Sequence, residues 1–457
     1  MAAGAPGGAG GEGGRGLRAA LAGLTTRGRS FLAAGVAAAV CAYVLGQDDL
    51  LRVGLLLAVL PLICVYALHR TRYRVSGSRR LSPLRVPAGG EARVQLRLDN
   101  VSRMPTGLLM LQDRVPYVLG PRPRFVLDRV EPGGRREVSY RVRSDLRGRY
   151  PLGPLQLRLS DPFGLVELTR SFSTYDTLTV VPRTEPLPPV RLAGESSGYG
   201  EGNQRSLALA GDDDVIPREY RHGDDLRRVH WRSTARYGEL MVRREEQPQR
   251  SRATVLLDTR RTAYEGAGPD SAFEWAVSAA ASVLVHLLER GFAVRLLTDT
   301  GSTTAGEGSG GFSAGGQEAA EAAGLMMDTL AVVGHSDGAG LSRALDALRA
   351  DRGEGLLIAF LGDLDEAQTE LAAKLRPRNG GAVAFVLDSE AWTGLEPAHP
   401  AALPQAERLR RLADAGWTAL DARPGTGFGE LWRLAAGGAA GSDGGRGTGT
   451  GTSGGWA

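Results

Sequence analysis

The sequence predicts a multidomain chain of mixed α and β class, with an N-terminal transmembrane helical hairpin, a β-sandwich and a C-terminal α/β domain. Three observations predict it. Two apolar runs lie close together near the N-terminus, period-two alternation fills the stretch from Tyr73 to about Pro186, and beyond Gln249 apolar strands alternate with amphipathic helices. The divisions that follow are a Gly/Ala-rich leader (1–27), the hairpin (28–70), the sandwich (71–187), a connector (188–250), the α/β domain (251–437) and a Gly/Ser/Thr tail (438–457). Leader and tail carry too little apolar surface to fold and are expected to be disordered.

The apolar runs are Phe31 to Leu45 and Val53 to Leu68, broken by Gln47-Asp48-Asp49 and Arg52. The first covers only roughly 23 Å at 1.5 Å per residue, so it must recruit its flanks or thin the bilayer. No cleavage site follows it and the second run would act as a stop, which favours a hairpin over a signal peptide. Arg15, Arg18, Arg27 and Arg29 precede the first span, and Arg70, Arg72, Arg74, Arg79 and Arg80 follow the second. Because positive charge stays inside, both ends are expected on the cytoplasmic face, making a multi-pass plasma-membrane anchor with its soluble domains in the cytoplasm.

Short alternating runs such as Ala92 to Leu98 and Glu137 to Val142, separated by turns at Asn100, Pro116, Glu131-Pro132-Gly133-Gly134 and Gly153-Pro154, indicate half-buried antiparallel strands. A sandwich of about seven strands, immunoglobulin- or fibronectin-like, closes such a pattern; a partial barrel would read the same way. In Asp161-Pro162-Phe163-Gly164-Leu165, Gly and Pro set a turn while Phe163 and Leu165 are expected to fill the sandwich end.

The α/β domain reads as strands at Ala253–Leu257, Ala293–Leu297, Gly355–Leu361, Ala382–Leu387 and Trp417–Leu420. Helices are expected at Ser271–Arg290, Glu318–Val333, Asp365–Leu375 and Gln405–Ala415. Strands that are apolar throughout imply a mostly parallel sheet covered on both faces, whose ligands sit at the carboxyl ends of the strands. Asp258, Asp299, Asp363 and Asp388 stand at four such ends, and Gly301 to Gly316 reads as a flexible loop.

The densest chemistry lies between these domains, in Arg218 to Arg243 (REYRHGDDLRRVHWRSTARYGELMVR), which reads as a turn, a short helix and a strand. Arg218, Glu219, Tyr220, Gly223, Asp224, Arg227, Trp231, Thr234, Ala235, Arg236, Leu240, Val242 and Arg243 together resemble the signature of domain-of-unknown-function family 58. The resemblance implies a membrane-anchored protein with a von Willebrand factor A-like domain, encoded beside a MoxR-type AAA+ ATPase, which would be its partner. Within the block, Arg227 and Arg236 can form charge-assisted bonds with Asp224 or backbone carbonyls while Tyr220 and Trp231 anchor packing, or the arginine-rich surface can dock an acidic partner.

The same resemblance implies a magnesium site at an Asp-x-Ser-x-Ser turn after the first strand, completed by an Asp after a later one. Here the turn reads Asp258-Thr259-Arg260-Arg261-Thr262, so Asp258, Thr262 and Asp363 are the candidate ligands. Arg260 stands where the first ligand hydroxyl belongs, and a guanidinium neither coordinates a cation nor tolerates one nearby. Asp363 could pair with Arg260 instead.

Composition narrows the remaining classes. Lys374 is the only lysine among 55 basic residues, so the +4 net charge reads as the arginine bias of a GC-rich, actinobacterial type of genome, and nucleic acid is not an expected partner. With no Gly-x-x-x-x-Gly-Lys sequence there is no P-loop, and Cys41 and Cys64 both lie in apolar segments. Gly334-His335-Ser336-Asp337-Gly338 matches a nucleophile-elbow pattern but follows a helix rather than a strand, and reads as a loop. His222 and His230 lack zinc-ligand company. The expected function is therefore a non-enzymatic membrane-tethered scaffold or adaptor acting with the ATPase in protein assembly or maturation. The alternatives are a magnesium-dependent adhesion-like binder and an uncharacterised hydrolase.

Overall fold

The computed structural model describes residues 23–72, 75–103, 105–106, 108–161, 163–190, 192, 217–220, 229, 231–243, 251–304, 317–350, 355–378, 380–394 and 401–437. The chain divides into two compact units at Val181 and Pro182.

In the first unit, α1 (Thr26–Leu45) and α2 (Asp48–Arg72) form the hairpin, and both are long and apolar enough to cross a membrane. α1 extends the first apolar run at its N-terminal end: Thr25 caps it, its hydroxyl accepting from Gly28 N at 3.2 Å, and the whole 20-residue helix is about 30 Å long. Gly46 ends α1 with φ of 65°, a left-handed cap that suits glycine. The helices cross on small residues. A Cβ on Gly35 would lie 2.5 Å from Ala58 N, and one on Gly54 would lie 2.7 Å from Ala39 N. Backbones approach this closely only where side chains are absent, which is how helices associate when no hydrophobic effect drives them.

The strands of this unit number ten among the described residues rather than the expected seven. β1 (Val75–Ser82), β3 (Glu91–Asn100) and β6 (Arg135–Arg143) form an antiparallel sheet in the order β1-β3-β6. A second sheet orders β2 (Arg85–Pro87), β10 (Asp176–Val181) and β7 (Gly148–Leu152), and a third orders β5 (Arg124–Leu127), β4 (Leu109–Asp113), β8 (Leu155–Ser160) and β9 (Glu167–Phe172). Alternation does what period two demands: Ala92, Val94, Leu96 and Leu98 of β3 face inward and the intervening side chains face outward. All three sheets contribute to one core, with Leu96, Leu111, Leu157 and Val180 among its members, and Cys64, Val65 and Leu68 of α2 join it.

That core also holds a buried cation. Arg79 donates from Nε to Asp113 at 2.9 Å and from Nη1 to the Leu152 carbonyl at 2.9 Å, while the Tyr140 hydroxyl donates to Asp113 at 2.6 Å. Burial would lower the Arg79 pKa, but Asp113 offsets this and holds it above its ordinary value. Leu165 is buried as expected of the sandwich end, whereas Phe163 is exposed: the Asp161 carboxylate accepts from Phe163 N and Val166 N, curling the turn so that the ring points outward.

In the second unit a six-stranded sheet has the order β15-β14-β13-β16-β17-β18, made of β13 (Arg252–Leu257), β14 (Ala293–Thr298), β15 (Thr303–Thr304), β16 (Leu356–Leu361), β17 (Ala382–Leu387) and β18 (Thr418–Ala422). All neighbours are parallel except the antiparallel edge strand β15. Alternate residues serve opposite faces. Val255, Ile358 and Phe385 pack under α4 (Ala272–Glu289), α5 (Gln317–Val332) and α10 (Phe428–Gly437), while Leu256, Ala359 and Val386 pack under α6 (Ser342–Ala350), α7 (Glu366–Lys374) and α9 (Gln405–Asp414). β16 and β17 are buried at every position, as the unbroken apolar runs predict. α4 has the length and apolarity of a span, yet it lies mostly buried in this core. The chain leaves β13 first to β14 on one side and later to β16 on the other, so the topological switch point lies between the carboxyl ends of β13 and β16.

Candidate functional site

Two carboxylates flank the switch point, Asp258 just past β13 and Asp363 just past β16. Both are buried, and arginines hold them. Arg260 forks onto Asp258, Nε to Oδ1 at 2.9 Å and Nη2 to Oδ2 at 2.7 Å, and Nη2 also donates to the Asp363 carbonyl at 3.3 Å. The backbone N–H groups of Arg260 and Gly362 complete the Asp258 shell at 3.1 and 3.3 Å. Burial opposes the Arg260 charge, but the Asp258 carboxylate outweighs it and raises the Arg260 pKa above its ordinary value. The Asp363 carboxylate takes its charge partner from elsewhere. Arg408, on the buried face of α9, donates from Nη1 to Asp363 at 2.7 Å and from Nη2 to Asp388 at 3.0 Å, and Ser389 N, at the start of the short helix α8 (Ser389–Thr393), donates to Asp363 at 3.3 Å.

The fourth strand-end carboxylate is held by neutral donors. Asp299 accepts from Thr259 N at 2.9 Å and from the Thr259 hydroxyl on one oxygen, and from the Ser336 hydroxyl at 2.7 Å on the other. Ser336 is therefore a lashing rather than an elbow. It follows helix α5, bridges in parallel to Arg260, and donates from its N–H to Thr259 O at 2.6 Å. The neighbouring His335 ring packs on Phe273 with centroids 4.2 Å apart, and the group that the Ser336 hydroxyl engages is the Asp299 carboxylate. Beneath the cluster Tyr264 is buried, and its hydroxyl pKa is driven far up by desolvation and then by the charge of Asp258.

This geometry tests the magnesium arrangement that the family resemblance implies, and the residues do not fit it. Both oxygens of Asp258 already accept from the Arg260 guanidinium, which places a fixed positive charge where a cation would need negative oxygens. Thr262 is exposed on the short turn Arg261–Ala263. Asp363 does not share its carboxylate with Arg260, as the sequence had suggested, because Arg408 takes it. Arg408 escaped the sequence reading, though it left a signal: it lies four residues before the buried Leu412, a charge on the apolar stripe of an amphipathic helix.

In the Arg218–Arg243 block, β11 (Pro217–Glu219) and β12 (Met241–Arg243) pair antiparallel, Arg218 opposite Val242, and Tyr220 N extends the ladder to Leu240 O at 2.8 Å. Between them lies α3 (Trp231–Tyr237), the short helix expected there. Thr234 ties the helix to the ribbon: its carbonyl accepts from Gly238 N at 2.9 Å and its hydroxyl from Met241 N at 3.1 Å. Gly238, at φ of 77°, makes the reversal that a side chain would strain. Trp231 is 70% exposed and so is not the packing anchor expected of it; Arg236 and Tyr237 are exposed beside it, and Tyr220 is half-buried. Gly223, Asp224 and Arg227, with the expected Arg227–Asp224 bond, and His222 and His230 lie outside the described residues.

Residues 217–383, which include this ribbon and the switch point, match the family model described as Protein of unknown function DUF58. The chain carries a DUF58 domain. A curated relative, the uncharacterised protein YeaD of Bacillus subtilis (strain 168), is 27% identical over 266 residues, covering 56% of this chain and 64% of that protein. The chain thus spans less than two thirds of that relative. Among solved structures, the CARDB domain of the PF1109 protein from Pyrococcus furiosus is 12% identical over 23% of this chain and 87% of that one, with a TM-score of 0.18. Spo0M, a sporulation control protein from Bacillus subtilis, is also 12% identical, over 23% of this chain and 49% of that one, with a TM-score of 0.16. Scores this low assign nothing to the DUF58 domain.

Proposed function

We propose that this protein is a membrane-tethered scaffold that recruits a partner through its DUF58 domain, rather than an enzyme or a cation-dependent binder. The observation that carries the reading is the treatment of the switch point. In a doubly wound sheet this is where ligands bind, and here Arg260 and Arg408 already engage the carboxylates that chemistry would need. Exposed groups of another kind lie on the short helix beside the ribbon, where Trp231, Tyr237 and Arg236 offer aromatic and cationic side chains of the kind that dominate protein interfaces.

The finer assignments belong to the same proposal. The first unit is an immunoglobulin- or fibronectin-like sandwich used as a spacer. The second is a von Willebrand factor A-like domain, supported by carboxylates after the first and a later strand, with Arg260 standing in for the metal. The partner is a MoxR-type AAA+ ATPase, and the pair acts in assembly or maturation of other proteins. Arginines flanking α1 and α2 favour a multi-pass plasma-membrane protein with both soluble units on the cytoplasmic side. Affinity purification from membranes, with the ATPase identified by mass spectrometry and an Arg236→Ala, Trp231→Ala variant alongside, tests the reading. Enrichment lost in the variant supports it; no ATPase in the wild-type eluate counts against it.

A further inference from the structure

The hairpin and the β unit are joined without slack, and this fixes which end of the β unit meets the lipid. Thr25 N donates to Leu165 O at 2.9 Å, the Thr25 hydroxyl to Gly164 O at 2.7 Å, and Glu167 N to Gly23 O at 2.8 Å. A Cβ on Gly28 would lie 2.1 Å from Leu165 O, so the first turn of α1 rests on the β8–β9 turn. At the other helix, Cys64, Val65 and Leu68 are buried in the β core. What is left for the bilayer is Ser30–Leu45 and Leu50–Ile63, about 24 Å and about 21 Å at 1.5 Å per residue, against a hydrocarbon core of about 30 Å. A span that is short by several ångströms draws whatever is fixed to its end into the interface.

The end of the β unit that is drawn in is furnished for lipid. Its loops follow β3, precede β4 and join β8 to β9, since Val75 pairs with Asn100 and Leu109 with Leu159. On these loops Val101, Leu108 and Phe163 are 72%, 51% and 61% exposed. Arg27, Arg29 and Arg103 are exposed on the same end; of the carboxylates there, Asp99, Glu131 and Glu167 are paired with arginines and Asp128 is exposed, so the exposed arginines outnumber it. Resting on the membrane-anchor reading above, we infer that Val101, Leu108 and Phe163 with Arg27, Arg29 and Arg103 form a collar seated in the headgroup layer of an anionic bilayer. The apolar groups enter the acyl boundary and the guanidinium groups meet phosphates, as interfacial aromatics and arginines do elsewhere. The β unit is then held upright on the membrane instead of swinging on a tether.

The test is photocrosslinking of the full chain in phosphatidylcholine/phosphatidylglycerol vesicles, with benzoylphenylalanine placed singly at Phe163, Val101, Val59 and Tyr117. Tyr117 is 91% exposed at the opposite end of the β unit, beyond Asp113 of β4. Lipid adducts at 163, 101 and 59 but not at 117 are the expected result. Adducts at 59 alone would overturn the collar and leave the anchor standing. Their absence at 59 would remove the anchor, and the collar with it.

Discussion

Removing the Arg260 guanidinium leaves Asp258 as an uncompensated buried charge, because no other cation donates to it among the described residues. Breaking one partner out of a buried pair of this quality costs about 3–5 kcal/mol. For a domain of this size each kcal/mol lowers the melting temperature by about 2–4 °C, so Arg260→Ala should melt about 6–20 °C below wild type. Replacing both partners, Asp258→Asn with Arg260→Met, removes the charge and the pair together and should recover most of that loss. Tryptophan fluorescence of the full chain in detergent reads the unit directly, since Trp275 packs on Trp392 and Phe428 within it. Magnesium and chelator should leave the wild-type midpoint unchanged. The reasoning is refuted if Arg260→Ala melts like wild type, or if magnesium stabilises wild type and the effect disappears in Asp258→Ala.

Arg408→Leu strands Asp363 and Asp388 together and should destabilise at least as much as Arg260→Ala in the same melt, whereas Arg410→Gln on the exposed face of α9 should have no effect; equal behaviour of the two would contradict the network. Tyr264 is held neutral in the fold, so its contribution is complete below the unfolded pKa of about 10 and declines above it by about 1.4 kcal/mol per pH unit. Denaturant titrations at rising alkaline pH should show that slope, and Tyr264→Phe should flatten it. At pH 7 the same variant should cost nothing, since the hydroxyl is buried without a hydrogen-bond partner among the described residues. Gly54→Val puts side-chain atoms where Ala39 N lies 2.7 Å from the Cβ position, and should lower the temperature at which the detergent-solubilised chain aggregates; an unchanged value would argue against the tight helix crossing.

Periodicity made the architecture legible, and local geometry set its limits. The strands Ala382–Leu387 and Leu356–Leu361 announced themselves because burial on both faces demands unbroken apolar residues. Ser342–Ala350 and Phe428–Gly437 did not, since short helices of mixed composition compete poorly with loop readings until a sheet gives them a face to cover. At the switch point the carboxylates were foreseen from strand ends, and the doubt about Arg260 followed from charge alone. The partner of Asp363 was not foreseen, because Arg408 lies 45 residues away and only the fold brings it within 2.7 Å. Trp231 was misjudged for a similar reason: aromatic residues usually pack, and nothing in its neighbours' spacing says that α3 leaves it exposed.

The scaffold reading stands or falls on direct association. The full chain, reconstituted in nanodiscs, can be titrated with the purified MoxR-type ATPase encoded nearest to it, and binding followed by interferometry with the Trp231→Ala, Arg236→Ala variant in parallel. Saturable binding to wild type that weakens at least tenfold in the variant is the predicted result. No binding to wild type in the presence or absence of ATP, with the protein folded by its tryptophan melt, would contradict the account.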